Sequence, residues 1–346
     1  MRAIQKIKPW LEARKANLKF IYTSLNLFFT PSLIDTDQTK CFSGPGCMKF
    51  NGGVFNPGAL LSDGGILVVA KGQHVHWRKA LPNDFARGDP LLFHMNYNGD
   101  LLSTHKVTII DTLTEIDPRQ FEDFRLFKFK NGIYSNHTLL CLREDGGYDN
   151  CLHMISALDA ESRTLTLLGQ VLVDFTLNNK EKNWGFFEHQ NELFVLYSFS
   201  PFVLLRATNW PALQFNTVVK QERNFVFSRP AILHSEHIAI STNPISYNDQ
   251  HYLVVIHSST MVARYVRLYF HWAVLIDKKS LLPVKITSCP LIKGGKCKGE
   301  MPGVIFVMAA MLIDNDLVLF SGEGDSFCSS VKIARCRLDA AFVNFT

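Results

Sequence analysis

The chain has 346 residues, 47% apolar and 19% charged, a composition that buries a core and excludes an intrinsically disordered protein. Its formal charge of +5 favours an anionic ligand or surface but is far from a nucleic-acid-binding composition. There is no run of about 18 apolar residues that would span a membrane as a helix.

In chain order, residues 1 to about 30 differ from the rest. Ile4, Ile7, Leu11, Leu18 and Ile21 fall close to helical spacing, while Arg2, Lys6, Lys8, Arg14, Lys15 and Lys19 face only Glu12. This predicts a basic amphipathic helix within an extension over 1–40. It suits an anionic membrane or a partner, or packs on its own domain with a solvated basic face. From about Lys40 the pattern changes to short apolar runs separated by turn signals. These are Asn51-Gly52-Gly53, Asp63-Gly64-Gly65, Asn98-Gly99-Asp100, Asn131-Gly132, Asp145-Gly146-Gly147 and Asn248-Asp249. Strands are expected at Ile66–Ala70, Leu91–Tyr97, Val107–Ile110, Thr138–Leu142, Thr164–Leu168, Leu193–Phe199, Tyr252–His257, Phe270–Ile276, Val304–Met308, Leu317–Ser321 and Val331–Arg337. So many short strands predict an all-β fold, and about 300 residues fit a five-bladed β-propeller over 41–346. No sequence repeat is visible.

The eight cysteines form no C-x-x-C pair and lie scattered in apolar runs, as buried thiols in a reducing, cytoplasmic compartment would. His74-Val75-His76 is a His-x-His without a third ligand in suitable context, so no metal is expected. There is no G-x-S-x-G, Walker A loop, G-x-G-x-x-G or H-E-x-x-H. The stretch Phe121-Glu122-Asp123-Phe124-Arg125-Leu126-Phe127 places an acid pair and an arginine at the entry of an alternating strand. Arg125 favours ionised neighbours, and a second carboxylate works the other way, so one of the pair suits a general acid; a plain ion pair is the alternative.

Several stretches, in order from about residue 50, resemble glycoside hydrolase family 130, the β-mannoside phosphorylases and mannosidases on a five-bladed propeller. They also resemble the related mannosyltransferase/phosphorylases of glycosyltransferase family 108. Phe55-Asn56-Pro57-Gly58-Ala59 is similar to the family's first-blade F-N-P-A, and Ile66–Lys71 to the strand after it. Glu122-Asp123-Phe124-Arg125 is similar to E-D-P-R, whose Asp is the proton donor. Lys182-Asn183-Trp184 resembles a stretch whose Lys lies near phosphate. Ser241-Thr242-Asn243-Pro244 with Tyr252–His257 resembles G-x-P-P and its histidine-bearing strand. Tyr269–Asp277 resembles Y-x-x-G-x-x-L-L-D, and Gly322-Glu323-Gly324-Asp325 the final G-x-x-D. Phe124 stands for the signature proline, Lys71 for a usual arginine, and His271-Trp272 for the glycine region.

The resemblance implies Asp123 as the catalytic acid. It implies Asn56, Lys71, Glu122, Arg125, Asn243 and Asp325 as substrate contacts, and Lys182, His257 and Tyr269 as phosphate contacts. Inverting glycosyl transfer to water needs a second carboxylate as base, whereas phosphate is already anionic and needs cationic positioning. One acid with a basic cluster therefore implies β-mannosyl transfer to or from phosphate or diphosphate, as glycosyltransferase or glycoside phosphorylase. Its partners would be a mannoside or related oligosaccharide and phosphate, a sugar phosphate or GDP-mannose. No cofactor is expected beyond that co-substrate, and no nucleic acid. A β-mannoside hydrolase and a non-catalytic carbohydrate-binding propeller remain the alternatives. Lys182 as a turn lysine, His257 and Tyr269 as core groups, and Asn56 and Asp325 as turn formers are the structural readings. Trp184 and Trp272 either stack on sugar or pack in the core.

Overall fold

The computed structural model describes residues 31–75, 88–111, 119–142, 148–221, 237–263, 266–294, 298–301 and 303–345. The helix expected over 1–30, His76, the turn at 145–147 and Cys297 lie outside these residues. After β1 (Lys40–Ser43), a first antiparallel meander is built from β2 (Gly53–Ser62), β3 (Gly65–Gln73), β4 (Gly88–Met95) and β5 (Leu101–Lys106). β6 (Thr108–Ile110) runs parallel at the outer edge of the second. That meander is β7 (Arg119–Phe129), β8 (Gly132–Leu142), β9 (Tyr148–Asp159) and β10 (Thr164–Gln170). β11 (Leu172–Val173) flanks the third in the same way: β12 (Gly185–His189), β13 (Glu192–Phe199), β14 (Phe202–Asn209) and β15 (Gln214–Gln221).

The fourth sheet contains β16 (His237–Ile240), β17 (Ile245–Ser246), β18 (His251–Ala263), β19 (Val266–Asp277), β20 (Pro283–Thr287) and β21 (Ile292–Lys293). The fifth contains β22 (Ile305–Ile313), β23 (Asp316–Glu323) and β24 (Phe327–Ala334), and β1 completes it by pairing with β24. Helix α1 (Arg335–Ala341) leads to β25 (Phe342–Asn344), which returns to β20. Four sheets thus carry the four antiparallel strands of a propeller blade, two of them with a parallel strand added at the edge, against the five expected. The fourth sheet departs because β17, β21 and β25 widen it to seven strands.

Period-2 side-chain alternation explains how the sheets pack. On β3, Ile66, Val68 and Ala70 enter the core shared with the fifth sheet, while Leu67 and Val69 enter the core shared with the second. On β18, Val254 and Ile256 face the third sheet while Leu253 and Val255 face the fifth. Both faces being buried, such strands read as continuous apolar runs, each large side chain contributing about 1.5–3 kcal/mol. Five cores therefore separate five sheets, the last joining the fifth to the first. The ring encloses an axial cavity of about 330 Å³ lined by residues of β2, β7, β12, β17 and β22.

Two expectations change in detail. The strand expected over Val331–Arg337 stops at Ala334, where α1 begins and buries Leu338 and Ala341, three apart on one helical face. Trp184 and Trp272 are both buried; Trp184 stacks on His153 at 4.4 Å and Trp272 donates to Ser258 Oγ at 3.3 Å. Neither presents a face to a sugar. Among the described residues no helix is long and apolar enough to cross a membrane.

Candidate active site

The acid-bearing stretch forms the innermost strand of the second sheet, interrupted by a bulge between Glu122 and Arg125. β2 carries a matching bulge between Phe55 and Gly58. The irregular residues are Asp123, at φ +57°, and Asn56, at φ +55°. The left-handed region suits Asn and Asp better than other residues with a Cβ. Gly58 lets the two strands meet, since a Cβ there would lie 2.0 Å from the Phe124 carbonyl oxygen. The contact between bulges is a hydrogen bond from Asn56 Nδ2 to Asp123 Oδ1, 2.8 Å long.

Around this pair lie groups from the other sheets. Lys71, buried on β3 opposite Phe55, holds Glu122 at 3.3 Å. Asp325, at φ +50°, lies in the β23–β24 turn; part of the residue reaches solvent while its carboxyl is enclosed. Burial pushes that carboxyl up to about 6, Lys71 opposes the rise, Glu122 and Asp123 add to it, and Lys182 opposes it. One carboxyl thus lies within electrostatic reach of both Asp123 and Lys182. Lys182 is exposed, and its charge also reaches Tyr269. Burial raises the Tyr269 hydroxyl, with Arg267 opposing it through charge and a hydrogen bond and Asp325 reinforcing it.

Arg125 is 1% exposed. It donates from Nε to Ser241 O at 2.7 Å, from one terminal nitrogen to Asp123 O at 3.3 Å, and from the other to Asn183 Oδ1 at 3.0 Å. Its guanidinium also lies 6.0 Å from the Phe306 ring. One side chain therefore ties the second, third, fourth and fifth sheets together beneath Asp123. Burial lowers its pKa to about 10, with Asp123 opposing, so it stays charged at neutral pH.

The remaining candidates divide. His257 is buried, pairs through Nδ1 with Ser241 Oγ at 2.9 Å, and lies 5.7 Å from the Tyr269 ring. Asn243 accepts from Phe186 N and donates to Leu126 O and Asn136 Oδ1, and it lines the axial cavity. The structure thus brings Asn56, Lys71, Glu122, Asp123, Lys182, Tyr269 and Asp325 into one neighbourhood. Arg125, His257 and Asn243 support it through bonds to protein groups. The departures from the family motifs also have structural partners. Phe124 is buried against His137 at 5.3 Å, and His271 Nε2 accepts from Val307 N at 3.2 Å. His74 lies 3.6 Å from Asp89, and among the described residues no group of three or more His, Cys, Asp or Glu is arranged to hold a metal.

Sequence reasoning missed three residues. Arg267 shares a face of β19 with Tyr269, a period-2 relation visible in Arg-x-Tyr-x-His. Asn183, at φ +66°, accepts from Arg125. Buried Glu181 takes Asn178 N at 2.7 Å, Asn178 Nδ2 at 3.1 Å and Tyr197 OH at 3.0 Å, fixing the turn that carries Lys182. No local signal in the sequence marks that turn as distinct from a solvated one.

No family model and no curated protein matches the sequence. Solved structures do match the fold. The β-1,2-mannobiose phosphorylase of Listeria innocua, in complex with β-1,2-mannobiose, aligns at TM-score 0.61 and 13% identity over 84% of this chain and 91% of that one. A structure from the GH130 family of mannoside phosphorylases, which contains glycoside hydrolases targeting β-1,2-mannosidic linkages in Candida mannan, aligns at TM-score 0.63 and 13% identity over 88% and 91%. A glycosyl hydrolase from Bacteroides ovatus aligns at TM-score 0.63 and 12% identity over 82% and 84%. At these identities the likeness is one of fold: this chain shares the propeller of glycoside phosphorylases and hydrolases along most of its length.

Proposed function

We propose that the protein is a carbohydrate-active enzyme performing inverting transfer of a β-mannosyl or similar hexosyl group to or from a phosphate or diphosphate, on five blades of which the seven-stranded sheet is the fourth. The observation that carries this reading is the meeting of Asp123 with the basic side chains Lys71 and Lys182 around the enclosed carboxyl of Asp325. The fold shared with mannoside phosphorylases supports the substrate class.

In phosphorolysis, the bond between C1 and the leaving sugar's oxygen breaks while a phosphate oxygen bonds C1 from the opposite face. Asp123 gives its proton to the leaving oxygen, and in synthesis the same carboxylate takes it back. Lys182, Tyr269 and Arg267 hold the phosphoryl group, Lys as a point charge and Arg as a two-pronged donor. No metal or organic cofactor has a part in this scheme. A second reading, hydrolysis, draws on Asp325: a carboxyl near 6 across from another is a candidate base for water.

The test is incubation with β-1,2-mannobiose and phosphate, and separately with mannose 1-phosphate or GDP-mannose and a manno-oligosaccharide, following phosphate or GDP. Turnover that depends on phosphate, a sugar phosphate or GDP-mannose supports the proposal, and turnover in water alone supports the hydrolase. Sugar binding without turnover makes the chain a binding module. Asp123→Asn should lower the rate at least about a hundredfold. Full activity in that variant would remove Asp123 from the role of acid.

A further inference from the structure

We infer that Asn56 is a positioning residue for the acid: its amide fixes one oxygen of Asp123, Oδ1, and leaves Oδ2 as the oxygen that carries and delivers the proton. The inference rests on the proposed role of Asp123. The bond from Asn56 Nδ2 to Asp123 Oδ1 is 2.8 Å. An amide nitrogen only donates, so the carboxyl oxygen it faces, Oδ1, is the one that accepts. On the other side Asn56 Oδ1 is buried without a hydrogen-bond partner, against Gly322, where an added Cβ would lie 2.5 Å from it. The amide is thus held between the acid and a glycine of the fifth sheet.

Both partners in the bond are built for it by the backbone. Each occupies a left-handed bulge, and Gly58, two residues beyond Asn56, touches the carbonyl one residue beyond Asp123. Arg125 adds a bond to the carbonyl oxygen of Asp123 itself. A carboxyl with one oxygen tied and its backbone clamped points its second oxygen in one direction, as proton delivery to a fixed glycosidic oxygen requires. The other charged or titratable groups around this carboxyl and the neighbouring Asp325 are Glu122 and Arg125 on β7, Lys71 on β3 and Lys182 before β12. All are unchanged by substitutions at Asn56.

Two variants suit the test. Asn56→Gly keeps the left-handed backbone while deleting the amide. Asn56→Asp keeps the shape and replaces the donor with an acceptor. The full chain is labelled with ¹³C at aspartate carboxyls, the Asp123 signal is assigned by its loss in Asp123→Asn, and its chemical shift at one fixed pH is compared with wild type. The signal should move in both variants, because the bond to Oδ1 is lost in each. kcat should fall about tenfold with KM for the sugar within about twofold. An unmoved signal in a folded variant overturns the inference. So does a rise in KM with kcat unchanged, which would make Asn56 a sugar contact only. If wild type transfers no glycosyl group, the proposed function fails while the carboxyl signal still decides whether Asn56 holds Asp123. Circular dichroism confirms folding, and either variant alone is decisive.

Discussion

Replacing Gly58 with alanine tests the clamp between the first two sheets. The new Cβ would lie 2.0 Å from Phe124 O, 2.7 Å from Phe124 C and 2.9 Å from Arg125 Cα. All three are backbone atoms, so no side chain can swing away, and β2 and β7 must separate by at least about 1 Å before the contact is tolerable. The Asn56–Asp123 bond starts at 2.8 Å. A displacement of that size leaves it outside hydrogen-bonding range. The overpacking should cost about 1–3 kcal/mol, read as a lowered midpoint in urea. Proton delivery, which tolerates little misplacement, should fall about tenfold to a hundredfold in kcat. Gly64→Ala serves as the control, because a Cβ there meets nothing within 4 Å. If Gly58→Ala melts and turns over like wild type while Gly64→Ala does the same, the backbone contact is not what sets the distance between Asn56 and the acid.

Three further outcomes follow from the surroundings of the acid. Lys182→Ala should raise KM for phosphate or the phosphorylated donor about tenfold while leaving sugar binding within about twofold, checked by steady-state kinetics with each substrate varied in turn. Equal effects on both substrates would count against a phosphate role. Asp325 titrates near 6 in the folded protein, above an unfolded aspartate at 3.8. The folded state therefore binds more protons across that interval, and the stability this gives is complete below about pH 4 and lost as pH rises through about 6. Asp325→Asn should remove up to about 3 kcal/mol of that pH dependence, measured by urea melts at pH 4 and pH 7.5. An unchanged slope would place the carboxyl in solvent. Arg125→Met should destabilise the chain by about 2–4 kcal/mol, because Ser241 O, Asn183 Oδ1 and Asp123 O all lose a charged donor, and thermal melts would register it.

The strands were legible because apolar runs and turn pairs are local. Asp63-Gly64 joins β2 to β3 as a two-residue turn, and Asn131 with Lys130 joins β7 to β8. The blade count was less so, since one strand that widens the fourth sheet comes from beyond the fifth: β25 follows α1 and returns to β20. At the site, Asp123 and Asn56 were visible as residues. Their contact spans 67 positions and depends on two bulges and a glycine, none of which periodicity encodes. Arg125 showed the same limit. Its charge suggested a substrate contact, but which sheets its guanidinium would join depended on the ring closing. Trp184 and Trp272 were ambiguous for a related reason, because a blade with two buried faces accepts aromatics at positions that a one-faced sheet would expose.

The absence of a sequence repeat has a physical explanation in the same bulges. The repeated feature is a backbone conformation near the axis. Asn56 with Gly58, and Asn183 with Gly185, each place a left-handed Asn two residues before a glycine pressed against the neighbouring sheet. For Gly58 the neighbour is Phe124 O; for Gly185 it is Thr242 O at 3.1 Å and Pro244 Cδ at 2.9 Å. In the second sheet Asp123 takes the left-handed place, and Arg125 stands where the others have glycine. Instead of allowing a close approach, it sends a guanidinium to the third and fourth sheets. Only the left-handed position is common to all three; Gly enters it without steric cost and Asn or Asp tolerate it better than other residues with a Cβ. A sequence can therefore drift around the ring while these three sheets keep their irregularity. Among these three positions, the one that carries a carboxyl is where its neighbours supply an amide on one side and a buried cation beneath.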